Sequence, residues 1–154
     1  LLAPILSGRA DVCYGSRFLG GVSWSMRARP NYWANRVLNG LSNLLNGLSI
    51  TDFNTCYKMM TVAAMRRLEL VENGFAMEPE ITGKLAALGY TILERPVSYR
   101  PRGRAGGKKI GLLDLYSYLG ALIRYRARRP QSTEGVKPVS LKPNMGVRLG
   151  TNLD

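Results

Sequence analysis

The chain has 154 residues, 45% of them apolar, which suits one domain with a core of its own and excludes a disordered polyelectrolyte. Its formal charge of +12 is local: nine basic and seven acidic side chains over residues 1–94 leave +2, ten and one over 95–129 leave +9, and three and two over 130–154 leave +1. Such a field points to an anionic partner, while the absence of histidine excludes Ser-His-Asp or Cys-His machinery and any histidine metal site within these residues.

In chain order, LLAPIL reads as the last turns of an amphipathic helix closed at Ser7-Gly8, so the chain is expected to start in mid-domain. ADVCYGSRF is a short apolar run that predicts a core strand with Arg17 delivered at its end. A glycine-bearing loop follows, with Trp24, Arg27 and Arg29. From Pro30 to Leu48 the residues Val37, Leu41, Leu44, Leu45 and Leu48 recur at helical spacing, with Pro30 suited to a helix start and Gly47 to its end. Asn31, Asn35, Asn39 and Asn43 lie on the opposite face, an amide stripe expected to meet solvent. Cys13 and Cys56 lack the spacing of a disulfide framework or a zinc site and are expected as buried thiols of a reduced compartment.

SITDFNTCYKMM is extended in character around Asp52, and residues 62–71 predict a short helix. EPEITGKLAALG opens with acids, places Pro79 in the first turn, lines up Ile81, Leu85 and Leu88, and stops at Gly89. YTILERPVSY predicts a strand that Pro96 confines to an edge or bends. RPRGRAGGKK, residues 100–109, then sets five cations among three glycines. The following helix carries a stripe of Leu112, Leu115, Tyr116, Leu119, Leu122 and Ile123, with Arg124, Arg126, Arg128 and Arg129 at one end. That stripe suits either the core or a headgroup boundary. No apolar run reaches the roughly 18 residues of a membrane-spanning helix, and 130–154, polar and aperiodic, predicts a disordered tail. Strands and helices alternate with basic residues at strand ends, the pattern of an α/β sheet with its ligand site there.

GRADVCYGSRFLGG, TDFNTCYKMM, ENGFAMEPEITGKLAALGYTILERPVSYRPR and GGKKIGLLDLYSYLGALIRYR, in this order, resemble the second half of family-2 glycosyltransferases. Within that family they are most similar to the bacterial polyprenyl-phosphate and dolichyl-phosphate sugar transferases. The resemblance implies an α/β, GT-A-like fold, of which residues 1–129 would be the C-terminal, acceptor-side part. It implies inverting transfer of a sugar from a nucleotide-diphosphate sugar to a polyprenyl phosphate at the cytoplasmic face of the membrane. It also implies a divalent metal, Mg or Mn, on an Asp-x-Asp motif expected before Leu1, with no metal ligand in this chain. The chain is thus expected to be truncated and inactive by itself.

Residue by residue, the resemblance assigns lipid or nucleotide phosphate to Arg17, Arg102, Lys108 and Lys109, and orientation or deprotonation of the acceptor to Asp52. Glu80 and Lys58 are further candidates. Each has a plainer reading: Arg17 as a strand-end surface residue, Asp52 as a turn former, Glu80 as a first-turn acid favoured by the helix dipole, and Lys58 as the partner of a structural acid. Asn54 stands where the family usually has a second acid, and Gly106 where its loop usually has one. An inactive or regulatory fragment that binds anions or membranes is the alternative function. A nucleic-acid module fits less well, because no aromatic residue interleaves with the cations of 100–110 as a stacking platform.

Overall fold

The computed structural model describes residues 1–21, 30–99 and 112–127. Residues 22–29 of the glycine-bearing loop, with Trp24, Arg27 and Arg29, the basic stretch 100–109, Arg128, Arg129 and the expected tail lie outside them. Helix α1 spans Leu2–Leu6 and strand β1 Val12–Ser16. Helix α2 spans Pro30–Asn46, strand β2 Lys58–Met60 and helix α3 Val62–Arg66. A 3-10 turn at Gly74–Ala76 leads into helix α4, Met77–Ala87, and strand β3, Ile92–Pro96, is followed by helix α5, Leu112–Arg124.

The described strands form one mixed sheet in the order β2-β1-β3. β1 runs antiparallel to β2, with Val12 opposite Met60, and parallel to β3, with Val12 opposite Ile92 and Ser16 opposite Pro96. β1 is buried along its whole length, as a strand covered on both faces must be, and its unbroken apolar run is the sequence form of that position. Pro96 closes β3 at the margin of the described sheet, where a missing backbone donor costs no ladder bond. The extended reading of 49–60 survives only at β2; the residues before it form a loop.

Val12, Tyr14, Ile50, Phe53, Leu85, Tyr118 and Leu122 form the heart of the core. The stripe expected on the last helix is therefore divided. Leu122 is buried and Leu119 packs against the core, while Tyr116 and Ile123 are exposed. Arg124 donates to Glu72 and Arg126 to the Ile123 carbonyl. At Gly83 of α4 a Cβ would run into the Tyr125 carbonyl, so this glycine lets the end of α5 lie against α4. Cys13 is buried, and burial pushes its thiol above the usual range, but Cys56 is exposed, contrary to expectation.

Helix α2 departs from its expected orientation in part: Leu45 and Leu48 pack against the core and Asn31 is exposed, as expected, but the middle of the helix is turned round. Its buried residues are Asn39, Ser42 and Asn46, whereas Trp33, Val37 and Leu44 are exposed. Asn39 and Asn43 face inward because the loop after the helix needs hydrogen-bond partners that apolar side chains cannot offer. Asn39 Nδ2 donates to the Ile50 carbonyl at 2.6 Å, and Asn39 Oδ1 accepts the Phe53 amide at 2.9 Å. Asn43 makes a second pair with Ile50, donating to its carbonyl at 2.8 Å and accepting its amide at 3.2 Å. Burying Trp33, Val37 or Leu44 would be worth roughly 1.5–3 kcal/mol each. Leaving the Ile50 amide, the Ile50 carbonyl and the Phe53 amide bare would cost about 1–3 kcal/mol per group, a comparable sum, and Leu38, Leu45 and Leu48 still pack against the core with the helix in this orientation.

Asn39→Ala should therefore lower the unfolding free energy by about 1–3 kcal/mol in urea titration, because it strips the Phe53 amide of its acceptor. Val37→Ser and Leu44→Ser, on the outer face, should stay within about 0.5 kcal/mol of the parent chain.

Candidate functional site

The site begins where β1 ends. Ser16 is buried, and its hydroxyl accepts the Phe18 and Leu19 amides and bonds Thr51 Oγ1 at 2.6 Å. This cap turns the chain sharply, so that Arg17 meets the loop after α2. The Arg17 amide and Nε donate to Asp52 Oδ2 at 2.9 and 2.7 Å, and Nη2 donates to Oδ1 at 2.6 Å. The guanidinium also stacks 5.3 Å from the centre of the Tyr99 ring. Burial works against the charge of Arg17, but its bonds to Asp52 outweigh burial and raise its pKa. Arginine suits this position because its planar fork matches a carboxylate and leaves further N–H groups for a second anion.

Asp52 is 1% exposed, and its two oxygens take three donors from Arg17. Three of the roughly four acceptor sites of the carboxylate are thus taken by Arg17, so Asp52 holds the guanidinium in place. The loop is pinned from the other side by Glu94 of β3, whose oxygens accept the Thr51 amide at 2.7 Å and the Asp52 amide at 3.0 Å.

Arg17 lines a cavity of about 290 Å³ between α2, the loop, the first turn of α4 and α5. Its polar lining includes Asn35, Asn54, Cys56, Glu78 and Asp114, and its apolar lining Leu38, Phe75 and Leu115. Asn54 is a bridge: it donates to Asn35 of α2 at 3.0 Å and accepts Tyr118 of α5 at 2.7 Å. Lys58 stands behind the wall, giving its ammonium to Glu78 and to the carbonyls of Phe53 and Thr55. Burial pushes Lys58 below the ordinary lysine value although Glu78 pulls the other way.

Of the three, Arg17 alone lines the cavity; Asp52 and Lys58 stand behind it, bonded to the lining residues Arg17 and Glu78. Glu80 is elsewhere. Two positions beyond Glu78 on α4, it points to the opposite side of the helix; it is buried and accepts the amides of Val71 and Glu72 at 2.9 and 2.8 Å and the Lys84 ammonium at 2.8 Å. Burial alone would raise its pKa, but the bonds from Lys84 and the two amides prevail and lower it. Arg102, Lys108 and Lys109 lie outside the described residues. Glu78, Asp114, Glu94 and the amides of α2 are additions from the fold. Glu78 carried a sequence signal as a first-turn acid, but nothing in its spacing separates a cavity acid from a helix cap.

No family model matches the chain, and no solved structure matches it. The chain is 26% identical over 103 residues to the low-salt glycan biosynthesis hexosyltransferase Agl6 of Haloferax volcanii, a match covering 66% of this chain and 25% of that protein. The chain thus spans about a quarter of the length of the curated relative it matches. This similarity supports a glycosyltransferase relationship.

Because Glu80 has a lowered pKa, its contribution to stability is present above the usual glutamate range and is lost as pH falls through its folded value. Glu80→Gln should cost about 1–3 kcal/mol at pH 7, and the gap between variant and parent should close as denaturation is repeated toward pH 3. A gap that stays constant with pH would mean that the charge of Glu80 is irrelevant.

Proposed function

We propose that the chain is the acceptor-side part of an inverting family-2 glycosyltransferase with a GT-A-like fold, which moves a sugar from a nucleotide-diphosphate sugar to a polyprenyl phosphate. The observation that carries this reading is Arg17, held by three bonds to a buried Asp52 at the edge of a cavity with an apolar wall of Ala34, Leu38, Phe75 and Leu115. The hexosyltransferase similarity agrees with sugar transfer. A cation fixed against an apolar wall suits an amphiphile with an anionic head, and a lipid phosphate is such a molecule.

In this reading an oxygen of the lipid phosphate attacks the anomeric carbon as the bond to the nucleotide diphosphate breaks, with inversion. A phosphomonoester near neutral pH already carries about −1.5 to −2 charge, so the nucleophile needs no strong base. That matches an Asp52 already consumed by Arg17. What the reaction needs is a cation that holds one anion beside another without having to reorganise. Arg17 supplies it, with Arg102, Lys108 and Lys109 proposed as further phosphate ligands. Asn35, Asn54 and Glu78 offer hydrogen-bond partners for hydroxyls of the sugar.

Among the described residues no three His, Cys, Asp or Glu side chains converge to hold a metal ion. They do not fit the divalent metal expected of the family, and no step here runs through one. Because the proposed acceptor lives in a bilayer, the proposed place of work is the cytoplasmic face of a membrane.

Farnesyl phosphate and farnesol, titrated calorimetrically into the chain, test the reading. The phosphate should bind and the alcohol should bind far more weakly. Arg17→Ala should weaken farnesyl phosphate by about 10- to 100-fold, the worth of a charge-assisted hydrogen bond. Arg17→Lys keeps a charge beside Asp52 and should fall between. Equal affinity for phosphate and alcohol, or no loss in either folded variant, would contradict the assignment.

A further inference from the structure

Asp52 is not the whole of what holds Arg17. The guanidinium carbon lies 5.5 Å from the centre of the Phe18 ring and 5.3 Å from that of Tyr99, both within reach of a cation–π contact. Phe18 is braced in turn: its ring meets Tyr32 of α2 edge-to-face at 5.6 Å, and Tyr32 meets Trp33 in the same manner at 5.3 Å. The Phe18 contact thus belongs to the wall built by α2. Tyr99, which follows β3 and is 44% exposed, differs in bringing a hydroxyl. Burial works against the charge of Arg17, and Asp52 foremost, then Tyr99, raise its pKa in spite of it.

Asp52 takes the Nε–Nη2 edge of the guanidinium. A second anion therefore has to meet the fork at its Nη1 end, in the same plane. A phenol beside that end can accept from the guanidinium through its oxygen and still has a proton to give. A phosphate monoester offers three terminal oxygens: two match the fork, and one is left for the phenol.

We propose that Tyr99 is a second phosphate-binding residue of this site. Its ring, with Phe18, fixes the plane of the Arg17 fork, and its hydroxyl donates to the phosphate oxygen that the fork leaves over. Stacked rings restrict the guanidinium before the ligand arrives, so less ordering is left to be done on binding. The inference rests on the reading of Arg17 as a phosphate ligand, but it concerns the phosphate head alone and does not depend on a lipid tail.

The test titrates methyl phosphate, a head without a tail, and farnesyl phosphate into the ¹⁵N-labelled chain while the Arg17 Nε–H resonance is followed by NMR. Tyr99→Phe keeps the ring, so the resonance of the free chain should stay nearly in place while affinity falls about three- to tenfold. Tyr99→Leu loses ring and hydroxyl; the free resonance should move and affinity should fall about 10- to 30-fold. Melting of both variants should match the parent, because Tyr99 is partly exposed. In an Arg17→Ala background the Tyr99→Phe loss should shrink, as it must for residues that share one ligand group. Tyr99→Phe binding as tightly as the parent while Arg17→Ala is weakened would overturn the inference and leave the reading of Arg17 intact. Arg17→Ala binding as tightly as the parent, or no binding of either phosphate, would end both. Methyl phosphate binding with this Tyr99 dependence, and farnesyl phosphate binding no tighter, would support Tyr99 and contradict the lipid acceptor.

Discussion

Everything at this site depends on how the backbone from Ile50 to Phe53 is satisfied. The segment is buried or partly buried and has no strand or helix partner, and buried backbone groups without partners are rarely tolerated. Four consecutive amides go to side chains: Ile50 to Asn43, Thr51 and Asp52 to Glu94, and Phe53 to Asn39. The carbonyls of Ile50 and Phe53 are taken by the α2 amides and by Lys58. A loop held at so many points behaves as a rigid element, and Asp52 inherits that rigidity.

The rest follows from this constraint. A rigid Asp52 fixes Arg17, and breaking a buried pair by removing one partner costs about 3–5 kcal/mol, so the guanidinium is anchored before any ligand arrives. Preorganisation of this kind is what an anion site requires, because a mobile arginine would have to be ordered each time a ligand binds. The same constraint governs the outside of the molecule. With its inner face shared between Asn39, Asn43 and the leucines Leu38 and Leu45, α2 leaves Trp33, Val37 and Leu44 on its outer face. The exposed stripe is a consequence of how the site is built.

The elements were largely legible in the sequence, and the orientation of one of them was not. β1 was readable because a strand covered on both faces shows as an unbroken apolar run. Pro30 and Gly47 mark the ends of α2, and Gly47 does adopt a left-handed conformation, with φ of 64°. Periodicity located two faces on α2 but could not say which one looks inward. That choice is made by backbone groups of a loop that leave no trace in hydropathy. Glu94 was hidden for the same reason, since a strand acid usually reads as a solvent-facing residue. Arg17 and Asp52 were both named, but their relation was not: only the fold shows that the acid serves the base, and that Glu78 and Asp114 face the cavity while Glu80 serves the backbone of Val71 and Glu72.

The central claim is that side chains of α2 and β3 hold the loop as firmly as a sheet would. Amide hydrogen exchange followed residue by residue by NMR tests it directly. The amides of Ile50, Thr51, Asp52 and Phe53 should exchange about as slowly as those of Val12 to Tyr14 in β1, opening only with the domain itself. Rapid exchange at these four positions while β1 stays protected would show a loop that opens on its own, and the account of a preset Arg17 would fail.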